Sequence, residues 1–324
     1  MPKVSILLAT AGRPKAILET LGSLAEVPAP THYTTEVLVI ENGGRTQLED
    51  HVRRFDQHRF SFRYIHCPQP NKSNALNVGL KAATGDYLLF TDDDVRFPPN
   101  WIRDMVFPLE DGSADIVVGG CKIAPHLMRT WMSRDHRGLL ASTEFLNEGN
   151  MGNFAGVNFS ARRQVFEVVP GFDCELGGGG LGNGEDTLIA YQLSRAGFRF
   201  CLRTSIAVEH HFAPDRLYYP NWVRACNSLG RSNAYLSYHW RHEDPSWPRA
   251  RLLYLQAKLH LRLLLTRLRR HPAEGIPRWE LCYRTDIATL LGYLRERKRP
   301  RHYRQFGLHK SPVDRSDPPG KPST

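Results

Sequence analysis

Residues Tyr87 to Val95 constrain this chain more than any other stretch: Tyr87-Leu88-Leu89-Phe90 is apolar, and Asp92-Asp93-Asp94 follows after a single threonine. Such a run, opened by Gly85 and closed by acids, predicts a strand buried on both faces of a sheet. Its carboxylates then stand at the strand's C-terminal edge, where open α/β sheets collect ligands. Clustered anions repel one another unless basic groups or a cation neutralise them, and a hard divalent ion shared with substrate phosphates meets that need. Taken alone, three adjacent acids are usually solvated surface; the buried strand that aims them argues for a site.

The 324 residues can bury a large core, in one α/β domain with an appendage or in two domains, and 41% hydrophobic with 23% charged content suits a folded globular protein. A formal net charge of +10 points to anionic partners: nucleic acid, an anionic membrane surface or a phosphorylated small molecule. The six cysteines are scattered, with no CxxC pair and no closely spaced Cys/His zinc pattern, which suits reduced thiols in the cytosol. Val4 to Ala9 is too short for a secretory leader and no apolar stretch has the length of a membrane span, so a soluble or peripheral protein is expected.

Along the chain, Val4 to Ala9, Glu36 to Ile40 and Phe62 to His66 read as strands. Helical patterns cover Lys15 to Leu24, Gln47 to Phe55 and Ser73 to Ala83, the last with Ser73 or Asn74 as its cap. This alternation predicts right-handed crossovers and a mainly parallel sheet, although no GxGxxG fingerprint follows the first strand. A helix from Trp101, a strand from Asp115 to Gly120, a partly looped region from Leu127 to Gly152, a strand from Phe154 to Ser160 and a short helix from Arg163 to Val168 come next. The glycine run from Gly177 to Gly184 suits either a flexible linker or a backbone that approaches a ligand closely. Behind it, a helical stretch from Glu185 carries two carboxylates in its first turn, and strand-like sequence from Phe198 ends in Glu209-His210-His211. Aromatics cluster from Tyr218 to Trp247, helices are expected over Arg251 to Arg270 and Trp279 to Arg297, and the tail from Ser311 is expected to be disordered.

The two acidic groups invite a division of labour. Asp92 to Asp94 would hold a metal against a diphosphate, Glu185 or Asp186 would take a proton from an attacking hydroxyl, and a histidine at a strand end would complete the metal shell through a neutral imidazole nitrogen.

In order and spacing, Val4-Ser5-Ile6 with its Thr10 and Arg13 loop, Lys72-Ser73-Asn74-Ala75-Leu76-Asn77-Val78-Gly79, Gly85 to Asp94, and Gly184-Glu185-Asp186 resemble glycosyltransferase family 2, inverting enzymes of the GT-A fold. The resemblance runs from residue 4 to 212. It implies a mixed, mainly parallel sheet flanked by helices as a catalytic domain over 1–215, leaving a mostly helical extension over 216–310 and a tail over 311–324. It further implies that Asp92 and Asp94 hold Mn²⁺ or Mg²⁺ and, with Asp93, the nucleotide diphosphate. Asp186 is implied as the base in preference to Glu185, and His210 as a metal ligand with His211 as the alternative. Thr10, Arg13 and Glu41 would contact the nucleoside, and Lys72 and Asn77 of the KxxALNxG pattern would approach the donor. The family's usual Asp at the end of the second strand is replaced by Glu41-Asn42, and the QxxRW sequence of its processive polymerases is missing, which favours single-sugar transfer.

The expected partners are a nucleotide-diphosphate sugar and a hydroxyl acceptor, whether a glycan, a lipid-linked glycan or a small molecule; a homodimer is an open alternative, and nucleic acid is not expected. The competing classes are a sugar nucleotidyltransferase and a basic nucleic-acid-binding protein without catalysis, the latter resting only on charge. The leucines of the Arg251 to Arg270 helix either pack on the catalytic domain or a partner subunit, or lie on a membrane with Lys258, Arg262, Arg267, Arg269 and Arg270 facing anionic lipid at its cytoplasmic, inner face.

Overall fold

A computed structural model describes residues 1–311 apart from 29, 56–59, 148, 151–153 and 267–272. The expected tail, beyond its first residue Ser311, and the expected helix end at 267–270 therefore lie outside the described residues. The described chain forms two compact units, Met1–Gly180 with Glu185–Ala213, and Leu181–Gly184 with the residues from Pro214 onward.

The first unit is built on one eight-stranded sheet of order β3-β2-β1-β4-β7-β6-β8-β5. Its strands are β1 (Lys3–Thr10), β2 (Thr34–Asn42), β3 (Ser61–Cys67), β4 (Tyr87–Asp92), β5 (Val95–Arg96), β6 (Ile116–Ile123), β7 (Asn158–Arg162) and β8 (Phe200–His210). β1, β2, β3 and β4 are mutually parallel where they pair, β7 runs antiparallel to β4 and β6, and β8 is parallel to β6 and antiparallel to β5. Seven consecutive residues of β1 are buried, as a central parallel strand covered on both faces requires. Phe154 to Val157, expected as the start of a strand, instead precede β7, which begins at Asn158.

Helices α1 (Pro14–Glu26), α2 (Leu48–Arg54), α3 (Lys72–Ala82), α4 (Trp101–Glu110), α5 (Arg134–Leu139), α6 (Val165–Val168) and α7 (Glu185–Arg195) complete this unit. Pro14 opens α1, where its missing N–H has no helical partner to lose, and Ile17, Leu21 and Leu24 turn one face into the core. In α4, Trp101, Ile102, Met105, Val106 and Leu109 do the same. The cap of α3 is Asn71, not Ser73 or Asn74: its side chain accepts the Asn74 N–H at 2.8 Å. Ser73 is already inside the helix, where its hydroxyl donates to the Leu176 carbonyl at 3.0 Å.

The second unit contains α8 (Tyr219–Tyr235), α9 (Pro248–Thr266) and α10 (Arg278–Glu296), with a wider helical turn at Leu236–Arg241 after α8. Glycines let α8 and α10 come together closely: a Cβ on Gly230 would stand 2.4 Å from that of Ala288, and one on Gly292 2.7 Å from that of Ala234. No helix among the described residues is long and apolar enough to cross a membrane.

Candidate active site

The registers that pair Thr10 with Glu41 and Ala9 with Asp92 bring the polar ends of β1, β2 and β4 to one edge of the sheet. Past β4 the chain turns through Asp93 and Asp94 into β5. Thr20 of α1 fixes that turn, its hydroxyl donating to the Asp93 carbonyl at 2.8 Å and accepting the Val95 N–H at 3.1 Å. Asp93 and Asp94 are buried, and Arg13 spans them, one nitrogen on Asp93 and the other 2.8 Å from Asp94 Oδ2. Thr10 adds a hydroxyl to Asp93 at 2.5 Å. Burial nevertheless outweighs the Arg13 charge and pushes the Asp93 carboxyl up to about 6.

Lys72, the first residue of α3, places its Nζ 2.7 Å from Asp92 and 3.5 Å from Glu185. Burial disfavours this ammonium, but the two carboxylates more than compensate and hold its pKa above the ordinary lysine value. Glu185, the more deeply buried of the two, is pushed up to about 7 by desolvation against the pull of Lys72. Asp186 is half-buried and differently held: Gly156 N donates to its Oδ2 at 2.8 Å and Thr187 N to its Oδ1 at 2.7 Å.

The glycine run folds tightly over the start of α3. Gly178 O accepts the Lys72 N–H at 2.8 Å, and Gly179, at φ +87°, has room for no side chain, because a Cβ would lie 1.8 Å from the Pro70 carbonyl oxygen. Gly177–Gly180 is thus a close-packed wall. Its Gly178 and Gly179 line, with Thr10, Arg13, Asn42, Lys72 and Asp92, a cleft of about 280 Å³. Two cations and several hydrogen-bonding groups around one cleft form a receptor for an anion.

His210, at the end of β8, accounts for the last element. Its Nδ1 lies 2.8 Å from the Leu140 carbonyl, an acceptor, so Nδ1 carries a proton, while Nε2 faces Asp94 Oδ1 at 3.3 Å. His211 turns the other way, toward Glu209 at 3.4 Å. Among the described residues no group of three or more His, Cys, Asp or Glu is gathered as a ligand set. Asp94 and His210 are a two-donor pair, and an oxygen-preferring divalent ion is commonly held by one or two protein ligands plus substrate phosphates. An imidazole nitrogen and a carboxylate oxygen facing each other at 3.3 Å also suit a cation between them. The donor set therefore fits an ion that is completed by a diphosphate, and does not fit one caged by protein alone.

Two residues expected at the donor are engaged by the protein itself. Glu41 is 1% exposed and accepts the Thr46 and Tyr64 hydroxyls at 2.6 and 2.5 Å; its neighbour Asn42 reaches the cleft. Asn77 spends its amide on the main chain of Phe172, donating to O and accepting from N, each at 2.8 Å, and so ties a later loop to α3. Thr20, Asn42, Gly156 and the Leu140 carbonyl complete the site but carry no signature in the sequence, since each acts through a partner distant along the chain.

The chain is 31% identical over 133 residues to the succinoglycan biosynthesis protein ExoM of Rhizobium meliloti, covering 39% of this chain and 43% of that protein. It is 28% identical over 189 residues to the glucosyl-dolichyl phosphate glucuronosyltransferase of Haloferax volcanii, covering 54% and 57%. The chain thus spans about half the length of these relatives. Among solved structures, the mannosyltransferase PcManGT of Pyrobaculum calidifontis, in complex with GDP-Man and Mn²⁺, superimposes with a TM-score of 0.60 at 18% identity, covering 91% of this chain and 86% of that one. Residues 1–349 of S. aureus TarS, in complex with UDP-GlcNAc, give 0.52 at 15% identity, covering 91% of each chain. These likenesses are of fold, and the fold is GT-A. The glycosyl transferase family 2 model matches residues 5–169, half of the chain. By that match, the chain belongs to glycosyl transferase family 2.

Proposed function

We propose that this enzyme is a metal-dependent, inverting transferase that moves one sugar from a nucleotide-diphosphate sugar to a hydroxyl acceptor, which is a glycan, a lipid-linked glycan or a small molecule. The observation that carries the reading is Lys72, which stands between Asp92 at 2.7 Å and Glu185 at 3.5 Å and so joins the acids after β4 to the acids of α7 in one site. Related proteins of this fold were solved with GDP-Man and Mn²⁺ or with UDP-GlcNAc, which supports a nucleotide-sugar donor.

In this reading the donor diphosphate lies in the cleft against Arg13 and Lys72, with Thr10, Asn42 and Asp93 around the nucleotide. Asp94 and His210, with Asp92 beside them, would hold Mn²⁺ or Mg²⁺, which when bound neutralises negative charge on the departing diphosphate. Asp186 accepts the proton of the acceptor hydroxyl as its oxygen bonds to the anomeric carbon. The bond from that carbon to the phosphate oxygen breaks on the opposite side, its electron pair leaving with the nucleoside diphosphate, and the configuration inverts. Glu185, buried against Lys72, holds that lysine in place, while the half-buried Asp186 is the carboxylate an acceptor can reach. The same reading places the protein in the cytoplasm or peripherally on the inner face of a membrane.

Incubation with Mn²⁺, radiolabelled nucleotide sugars and an acceptor extract tests the proposal. Release of nucleoside diphosphate with sugar transfer of inverted configuration is expected. Pyrophosphate release, the signature of a nucleotidyltransferase, would contradict it.

A further inference from the structure

The leucines of α9 do not all serve a core. Leu252 and Leu259 are buried, but Leu253, Tyr254, Leu261, Leu264 and Leu265 are between 57% and 68% exposed, and Trp247, just before the helix, is 82% exposed. At 3.6 residues per turn, Ala250, Leu253, Tyr254, Ala257, Leu261, Leu264 and Leu265 fall on one outward arc. Lys258 and Arg262 border that arc on one side and Arg249 and His260 on the other, all exposed. Lys258 lies 4.7 Å over the Tyr254 ring and Arg262 5.3 Å over that of Trp279, contacts that orient the cations without neutralising them. Arg251, on the same border as Lys258, lines a small cavity with Asp286 and is partly spoken for.

Charge decides what covers this face. Between Asp244 and Glu274 the sequence contains seven Lys or Arg and no acid, against a net charge of +10 for the whole chain. A second copy of the chain would bring the same uncompensated charge to the contact, which repels. A nucleic acid would satisfy the cations but leave the leucines in water. An anionic bilayer surface satisfies both, taking the apolar arc into the acyl boundary and the cations among its headgroups.

We propose that the exposed face of α9 is the surface by which the protein binds anionic lipid. The inference deepens the peripheral placement proposed above; it does not depend on the sugar chemistry.

Flotation of the full chain with vesicles tests it. Vesicles of phosphatidylcholine and phosphatidylglycerol in equal parts should carry the protein, and pure phosphatidylcholine should carry about tenfold less, because the electrostatic contribution is lost. A Leu261→Glu, Leu264→Glu double variant should lose flotation while keeping the helical circular dichroism, melting temperature and nucleoside-diphosphate binding of the native protein, since both side chains are exposed. Loss of nucleotide binding in native protein that still floats would overturn the transferase reading alone. Three results would overturn the lipid proposal: no flotation with anionic vesicles, flotation of the double variant equal to native, or a native dimer that the double variant converts to monomer.

Discussion

The carboxylates after β4 are held by charge, Asp93 and Asp94 by the Arg13 guanidinium and Asp92 by Lys72 at 2.7 Å, whereas Asp186 at the head of α7 is held by the main-chain amides of Gly156 and Thr187. The difference matches the different work proposed for them. Cations that pair with carboxylates along the cleft can be shared with phosphates when these enter, so the first group suits an adaptable anion receptor. Neutral amides fix the direction of the Asp186 carboxylate without supplying a cation, which suits the proton acceptor proposed for this position.

The comparison breaks most visibly at Asp186. Asp186→Asn keeps the shape but removes the proton acceptor, and turnover should fall roughly 10²–10⁴-fold, the usual contribution of a general base. Steady-state assay of nucleoside-diphosphate release measures it, and turnover near the native value would move the base elsewhere.

Arg13→Ala probes the other group. It leaves two buried carboxylates without their shared guanidinium, and unfolding in urea should show a loss of about 2–3 kcal/mol. A fully buried pair would cost more, but the Arg13 side chain is 46% exposed and water screens part of the interaction. An unchanged midpoint would mean that Thr10 and Thr20 alone hold the turn.

The same burial makes stability depend on pH. The Asp93 carboxyl is raised from 3.8 to about 6, so between those values the folded state holds a proton that the unfolded chain has released. Its contribution is complete below this window and is lost as the pH rises through it, and Glu185, pushed up to about 7, adds a loss of the same sign. The thermal midpoint should therefore fall as pH rises from about 4 to about 6, and Asp93→Asn should flatten that slope. The smallest effect belongs to Asn71→Ala, which removes the α3 cap and should cost about 1 kcal/mol in the same urea titration.

The acids after β4 were legible in the sequence because a buried strand and a charged end are both local patterns. The glycine run was legible as unusual but not as a wall, since Gly179 is required by the Pro70 carbonyl more than a hundred positions earlier. The surroundings of Glu41 and Asn77 were hidden for the same reason: the hydroxyls of Thr46 and Tyr64, and the main chain of Phe172, bond to them through pairings that no local pattern announces. The Asn71 cap was missed because a cap depends on where the first helical turn begins, and Ser73 and Asn74 are equally good cap residues by type. In α9 the leucines cover most of the helix circumference, so spacing alone could not separate the buried Leu252 and Leu259 from the exposed Leu261 and Leu264. Helix α8 escaped notice because aromatic residues crowd its sequence and blur its period.

Nucleoside-diphosphate binding in the presence of Mn²⁺, measured side by side by calorimetry in Asp94→Ala and Asp186→Asn, tests the division of labour most directly. Asp94→Ala should bind weakly and Asp186→Asn as the native protein does; equal loss of binding in the two variants would contradict it.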